Sequence, residues 1–149
     1  MKKLFIIAVL VVAGTGIYYA SFYFRSTTID EEMPSAEQNL REGNFTAIDA
    51  IHKGSGKAVL LRSGGEQVLR LENFEVTNGP DLYVYLIKNP RPTHSDESLG
   101  EFIDLGRLKA NKGNQNYALG ADIKNPEDFT TVVIWCKQFG VLFSYANLN

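Results

Sequence analysis

The 149-residue chain contains a single cysteine, Cys136, and only two histidines, His52 and His94. One cysteine cannot form an intrachain disulfide, a paired-cysteine redox motif, a haem-attachment motif or a multi-cysteine zinc site. It also leaves the N-terminal region without a cysteine that could be acylated as in a lipoprotein. Any cysteine chemistry therefore has to involve a partner or a cofactor.

The chain also lacks the residues and motifs of most cofactor and hydrolase sites. A blue-copper centre needs two histidines, a cysteine and a weak axial methionine, but the residues after Cys136, KQFGVLFSYANLN, contain neither histidine nor methionine. No G-x-S-x-G elbow, H-E-x-x-H helix or glycine-rich phosphate loop occurs. We expect surface positions for both histidines, no cofactor bound by the chain itself and no stand-alone enzyme, with a weak Cys136/His52 metal pair left open.

The body of the chain has fewer basic than acidic residues. Removing Lys2, Lys3 and Arg25, which flank the N-terminal apolar run, from the 15 basic side chains leaves 12 against 17 acidic ones. Such a balance supplies no basic stripe for a phosphate backbone. Nucleic acid is therefore not expected as a partner.

Long apolar runs are confined to residues 4–24, which carry no charge. As a helix this segment matches the roughly 30 Å hydrocarbon core of a bilayer. Lys2 and Lys3 precede it, so the charge bias keeps the N-terminus cytoplasmic and places the body outside the membrane. Residues 1–25 are predicted to be a signal anchor, and a cleaved signal peptide, which would secrete the same body, is the alternative. Residues 26–42 are polar and are predicted to be a linker.

The body, residues 43–149, is predicted to be all-β. Short β-branched and aromatic runs alternate with turn signals, and helical periodicity is weak. About seven to eight strands without a crossover helix indicate an antiparallel β-sandwich or barrel. Leu69 and Leu71 are predicted to face inward in an alternating strand. Other strands are predicted at residues 44–51, 58–62, 82–87, 130–137 and 139–146, with turns at 53–56 and 63–65 and one short helical turn at 125–128.

Cys136 lies near the end of one predicted strand, T-T-V-V-I-W-C-K. Alternation along the strand puts it on the same face as Val132 and Ile134, and puts Lys137 on the opposite face. A free cysteine in a core is usually a small buried hydrophobe. If the thiol is exposed instead, the charge of Lys137 would lower its pKa and make it reactive. Exposure therefore decides between a packing role and a redox role.

Five short motifs follow one another through the body. They are G-S-G-K-A (54–58), V-L-R-L-E-N-F (68–74), G-P-D-L-Y-V-Y-L (79–86), D-L-G-R-L-K (104–109) and V-V-I-W-C-x-x-F-x-V-x-F (132–143). In order and spacing they resemble the DM-thirteen domain, also called the electron-transfer DM domain. The resemblance spans about residues 43–148, essentially the whole body.

The resemblance implies an all-β extracytoplasmic module with a part in electron transfer that depends largely on its cysteine. Cys136 is then the implied redox residue. We expect it to serve an exported redox protein, either by thiol exchange or by supporting a metal or haem that the partner holds. The alternative is a non-redox adhesion or ligand-binding module, with recognition loops at residues 90–97 and 112–116.

Overall fold

The computed structural model of the chain describes residues 11–12, 14–16, 26–35, 38–120, 123 and 125–149. Within these residues the chain forms ten strands and two short 3-10 helices. The 3-10 helices are Asp96–Ser98 and Pro126–Asp128. The strands are β1 Thr28–Asp30, β2 Gln38–Asn44, β3 Thr46–Ala47, β4 Gly54–Ser63, β5 Glu66–Val76, β6 Leu82–Ile87, β7 Phe102–Arg107, β8 Lys112–Leu119, β9 Thr131–Cys136 and β10 Val141–Asn147.

The strands form two separate five-stranded sheets. Sheet A has the order β1-β8-β5-β4-β2, and sheet B has the order β3-β10-β9-β6-β7. Neighbouring strands are antiparallel, except that β1 runs parallel to β8. The predicted all-β class is confirmed, with more strands than expected. Two distinct sheets with a shared core make the fold a sandwich.

The core lies between the two sheets. Leu69 and Leu71 of β5 are completely buried there, as predicted, together with Val132 and Ile134 of β9. Strand β6 lies between β9 and β7, and its sequence is apolar on both faces because one face packs in this core and the other in a second apolar cluster. The second cluster covers the outer face of sheet B, where Leu99 from the loop after β6 packs on the strands.

The predicted linker at residues 26–42 contains regular structure. Strand β1 pairs with β8, and β2 pairs with β4 at the opposite edge of sheet A. Arg70 on β5, 5% exposed, donates hydrogen bonds to the backbone carbonyls of Glu31 and Glu32 and to Asn116 Oδ1. These contacts cover the outer face of sheet A with the segment after β1. The predicted polar linker thus includes edge strands, which tolerate polar residues that carry no alternating pattern.

One predicted turn and one predicted loop are strands in the structure. Residues 53–56 were expected to form a turn, but β4 begins at Gly54 and continues through Gly56. Gly56 has a φ of +95°, and the register between β4 and β5 shifts at this point, so the glycine marks a β-bulge. Residues 112–116 were expected to form a recognition loop, but they lie within β8. The short helical turn predicted at residues 125–128 is present as a 3-10 helix.

Most of the predicted apolar span lies outside the described residues. Of residues 4–24, only 11–12 and 14–16 are described, and they are helical. Across the described part of the chain, no helix combines the length and apolar character needed to cross a bilayer.

Candidate functional site

Cys136 is the last residue of β9 and is completely buried. It pairs in register with Leu82 of β6 on one side and with Val141 of β10 on the other. Its side chain belongs to the core between the sheets, on the same face as Val132 and Ile134, as alternation predicted. The thiol has no solvent exposure in this arrangement. A partner cannot reach it without a movement of the surrounding residues.

Leu82, the register partner of Cys136, contributes both to the core and to the lining of a surface cleft. Its side chain is 6% exposed and is part of the same core as the thiol. It also lines a cleft of about 240 Å³ together with Thr27, Gly79, Pro80, Arg107, Leu108, Ala110 and Asn111. The position of Cys136 at a strand end, directly before the exposed turn at residues 137–140, places the thiol near the edge of the core.

The surroundings of Cys136 give no sign of an activating charge. Lys137 lies on the opposite face, and its Nζ is 4.8 Å from the centroid of the Tyr83 ring. Trp135 and Phe143 are buried, whereas Phe139 in the turn is 64% exposed. The neighbourhood is therefore an apolar core bounded by an exposed turn.

A second group of chemically competent side chains lies at the edge of β10. Asp49, His52 and His94 bring one potential ligand atom each to within 4.8 Å of one another. His52 Nδ1 lies 2.7 Å from Asp49 Oδ2, and His94 Nε2 lies 3.7 Å from the same oxygen. The two imidazole ring centroids are 5.4 Å apart. In the described part of the chain these three residues form the group that could hold a metal ion.

Local turn chemistry positions Asp49 and His52. Strand β3 covers β10 only at Ser144 and Tyr145, after which the chain turns away from the sheet edge. Asp49 Oδ1 accepts hydrogen bonds of 2.7 Å from the backbone N–H groups of Ile51 and His52. This arrangement is an Asx-type turn, in which a short side chain stabilises the backbone that follows it.

The loop after β6 supplies His94. The backbone N–H of Leu142 donates a hydrogen bond of 3.3 Å to His94 Nδ1, so the imidazole caps the sheet edge that β3 leaves uncovered. The register of β10 against β9 shifts between Leu142 and Ser144. The bulged residue, Phe143, contacts the ring of His52 at a centroid distance of 4.7 Å. The β-bulge thus bends this part of β10 toward both histidines.

The electrostatics of the group favour an ionised carboxylate. Hydrogen bonds from the His52 side chain and from the backbone N–H groups of His52 and Ile51 hold the pKa of Asp49 well below its ordinary value. Because His52 Nδ1 donates its proton to Asp49, the neutral ring carries its free lone pair on Nε2. The group therefore offers one carboxylate and two imidazoles to an approaching ligand.

Only part of this group is predictable from the sequence, which indicates surface positions for the two histidines but not their meeting with Asp49. Both histidines are expected at the surface, and the His52 and His94 side chains are 21% and 46% exposed. The sequence left open a metal pair of Cys136 and His52, whereas the histidines come together with Asp49. The spacing of Asp49 and His52 is a local signal for a side-chain-stabilised turn. No signal in the sequence links either residue to His94, because two loops remote in sequence meet there.

The cysteine, the two histidines and Asp49 all lie in one matched region. Residues 44–148 match the family model described as Electron transfer DM13. No curated protein and no solved structure matches the chain. The matched range covers well over half of the chain and includes most of the sandwich. The chain therefore belongs to the electron transfer DM13 family.

Proposed function

We propose that this chain is an electron-transfer domain held on the outer side of a membrane, with Cys136 as its redox residue. The observation that carries the proposal is the family match over residues 44–148, which contains β9 and its terminal cysteine. An exported redox protein is the proposed partner. The chain acts on that partner and is not proposed to be an enzyme on its own.

Burial of Cys136 restricts how such a reaction proceeds. In thiol exchange the Cys136 thiolate attacks a disulfide of the partner, a new bond joins its Sγ to one partner sulfur, and the other sulfur leaves as a thiolate. Because the chain has no second cysteine, this mixed disulfide persists until an external thiolate attacks Cys136 Sγ, which releases the partner as a dithiol and leaves Cys136 joined to the external sulfur. A second external thiolate then frees Cys136, and the two external thiols leave as a disulfide. The thiol must first become accessible, and its position beside the turn at residues 137–140 supports opening of this end of the sandwich rather than unfolding of the whole domain.

The test of the redox role uses the full chain in detergent with oxidised glutathione as the probe disulfide. We expect a mixed disulfide on the folded wild-type chain, detected by mass spectrometry, at a rate above that of global unfolding. The Cys136→Ser variant gives the background, and the wild-type chain in denaturant gives the maximal rate. A folded chain that forms no adduct until it unfolds would show that the redox assignment is wrong.

The membrane attachment in this proposal is supported by the uncharged run at residues 4–24 and by Lys2 and Lys3 before it. Since β1 begins at Thr28, only a few residues separate this run from the sandwich. The body would then be held close to the outer surface of the membrane. We expect the chain to resist alkaline extraction of membranes and its body to be digested by protease added outside intact cells. Release by alkaline extraction, or protection from the external protease, contradicts this arrangement.

A second candidate function is recognition of a partner without redox chemistry, and the loop after β6 favours it. Residues 93–97 are exposed, yet both ends of this stretch are fixed. The backbone N–H of Thr93 donates to Ser98 Oγ, which in turn donates to the carbonyl of Thr93, and Leu99 is buried in the outer cluster. A stably held protruding loop is typical of a recognition element.

Photocross-linking from position Glu97 separates the two functions. Under the recognition hypothesis a cross-linked partner forms in cells and is retained in the Cys136→Ser variant. Under the redox hypothesis the Cys136→Ser variant loses the disulfide-linked partner whatever the state of the loop. A chain that forms neither product argues against both functions.

A further inference from the structure

We propose that Asp49, His52 and His94 bind a divalent transition-metal ion that prefers imidazole ligands, Cu²⁺ or Zn²⁺. Two imidazole nitrogens with one carboxylate oxygen suit these ions, whereas Ca²⁺ and Mg²⁺ prefer sites made of oxygen alone. The site uses no atom of Cys136. The inference therefore goes beyond the electron-transfer role and does not depend on it.

The distances between the ligand atoms are close to those that one ion requires. Metal bonds of about 2.0–2.1 Å in tetrahedral geometry place neighbouring ligand atoms roughly 3.3 Å apart. Asp49 Oδ2 lies 2.7 Å from His52 Nδ1 and 3.7 Å from His94 Nε2, on either side of that value. All three ligand atoms lie within 4.8 Å of one another. Side-chain shifts of less than 1 Å, which rotation about single bonds supplies, would bring them to one centre.

The fold holds these side chains in place from three directions. The Asx-type turn fixes Asp49 and His52, the ring of Phe143 packs against His52, and the Leu142 N–H holds His94. The side chains of His52, Asp49 and His94 remain 21%, 42% and 46% exposed, so one side of the group is open. Three protein ligands with an open position leave room for water or an exogenous ligand, as in zinc sites that act on small molecules.

Metal binding requires that the proton of each imidazole ring, in His52 and in His94, lie on the nitrogen that does not bind the metal. In the free protein, His52 Nδ1 donates its proton to Asp49. When the metal binds, this proton is carried on Nε2 instead, so Nδ1 can bind the metal while the imidazole ring stays neutral. His94 binds through Nε2 and carries its proton on Nδ1, which removes the acceptor for the Leu142 N–H. Leaving the Leu142 N–H without this acceptor, opposite a protonated Nδ1, weakens binding by roughly 5- to 150-fold. Three metal bonds outweigh this loss.

The test titrates the full chain, without a histidine tag and in detergent, with CuSO₄ and in separate samples with ZnCl₂. Electron paramagnetic resonance of the Cu²⁺ sample reports nitrogen ligands, and calorimetry gives both affinities. We expect one ion per chain and two nitrogen ligands in the copper spectrum. Binding of Zn²⁺ alone would assign the site to zinc, and tighter binding of Cu²⁺ would assign it to copper.

The variants are chosen to keep the local hydrogen bonds. In His52→Asn the amide Nδ2 can still donate to Asp49, and in His94→Asn the amide Oδ1 can still accept from Leu142, but each removes a metal ligand. Asp49→Asn keeps the acceptor for the turn and removes the charge. We expect each variant to weaken metal binding by about 100-fold. Glu97→Gln, an exposed change in the same loop as His94, is the matched control and should bind as the wild-type chain does.

Two results would overturn the proposal. One is wild-type affinity in the double variant His52→Asn/His94→Asn, and the other is loss of binding in Cys136→Ser, which would place the ion at the thiol. Circular dichroism of each variant shows whether it is folded, so loss of binding in a folded His52→Asn or His94→Asn chain supports the site. Failure of the glutathione reaction at Cys136 leaves this metal test unaffected.

Discussion

Replacing Leu82 by alanine tests whether the Cys136 thiol is reached through the end of the sandwich. The two residues pair in register, and Leu82 also lines a surface cleft. Alanine at this position removes the branched part of the side chain between the cleft and the core. We expect a small maleimide to react with the folded variant faster than the loss of stability alone explains.

The magnitude of the stability effect has to be separated from the effect on access. A leucine-to-alanine change in a core costs about 3–5 kcal/mol, through lost burial and the cavity that remains. If the thiol reacts only in the globally unfolded chain, every 1.4 kcal/mol raises the labelling rate about tenfold. Global unfolding alone therefore predicts an acceleration of about 100-fold or more for Leu82→Ala.

Leu86→Ala is the matched control for this loss of stability. Leu86 lies on the same strand and in the same core, and is 1% exposed. Its register partner is Val132 and not Cys136. Urea unfolding gives the change in the unfolding constant for each variant, and mass spectrometry gives the labelling rate. After correction for stability, Leu82→Ala should label at least about tenfold faster than Leu86→Ala.

Equal corrected rates in the two variants would show that the Leu82 side chain does not control access to the thiol. The thiol would then react only when the whole domain unfolds, and Cys136 would be a packing residue in the folded chain. A labelling rate of Leu82→Ala that falls as urea is lowered, in parallel with global unfolding, leads to the same conclusion. A rate that becomes independent of urea at low concentration identifies local opening at this end.

Two further predictions concern the attachment of β1 to sheet A. Gly113→Ala should increase hydrogen exchange of the β1 amides while the rest of the sandwich stays protected, because a Cβ at Gly113 would meet the Ile29 carbonyl of the paired strand. Gly106→Ala is the control, since both glycines have a φ of +98° but a Cβ at Gly106 meets nothing within 4 Å; equal exchange in both variants would contradict the steric argument. Glu31 gives a pH dependence: burial raises its pKa, but hydrogen bonds from Lys109 and from the Asn116 N–H outweigh this and hold the pKa below the ordinary value of 4.5. A lowered pKa in the folded state stabilises the protein above the ordinary value, and this contribution is lost as pH falls through the folded value. The protection of the β1 amides, taken relative to the intrinsic exchange rate at each pH, should therefore fall below about pH 4.5 in wild type and change less in Glu31→Gln.

The parts of the fold that sequence patterns predicted are those with a period. Two-residue alternation placed Cys136, Val132 and Ile134 on the inner face of β9, and the structure puts all three in the core. Strand β6 was recognisable because both of its faces are covered, so its residues are apolar throughout. Alternation shows which side chains face the core, but it does not show how much of each side chain remains exposed to solvent. The burial of the thiol therefore had to come from the arrangement of the neighbouring strands.

Edge strands and loop contacts were beyond the reach of such patterns. Strand β2, QNLREGN, reads as a polar linker, because only one of its sides pairs with the sheet and its residues stay largely exposed. Arg70 alternates with the inward-facing Leu69 and Leu71, but its burial depends on Glu31 and Glu32, which lie far away in sequence. The meeting of His52 with His94 likewise depends on two loops and on a bulge in β10.

The N-terminal connection, the thiol and the histidines all lie toward one end of the sandwich. Thr27, just before β1, lines the same cleft as Leu82, the register partner of Cys136. A Cβ at Gly79 would meet both Leu82 and Phe143, and Phe143 packs against His52. If residues 4–24 anchor the chain, this end would face the membrane. The few residues between that run and β1 are too short a connection for the opposite end of the sandwich to reach the membrane. A partner that reacts with Cys136 would then approach along the membrane surface, which favours a membrane-bound redox protein over a freely diffusing one.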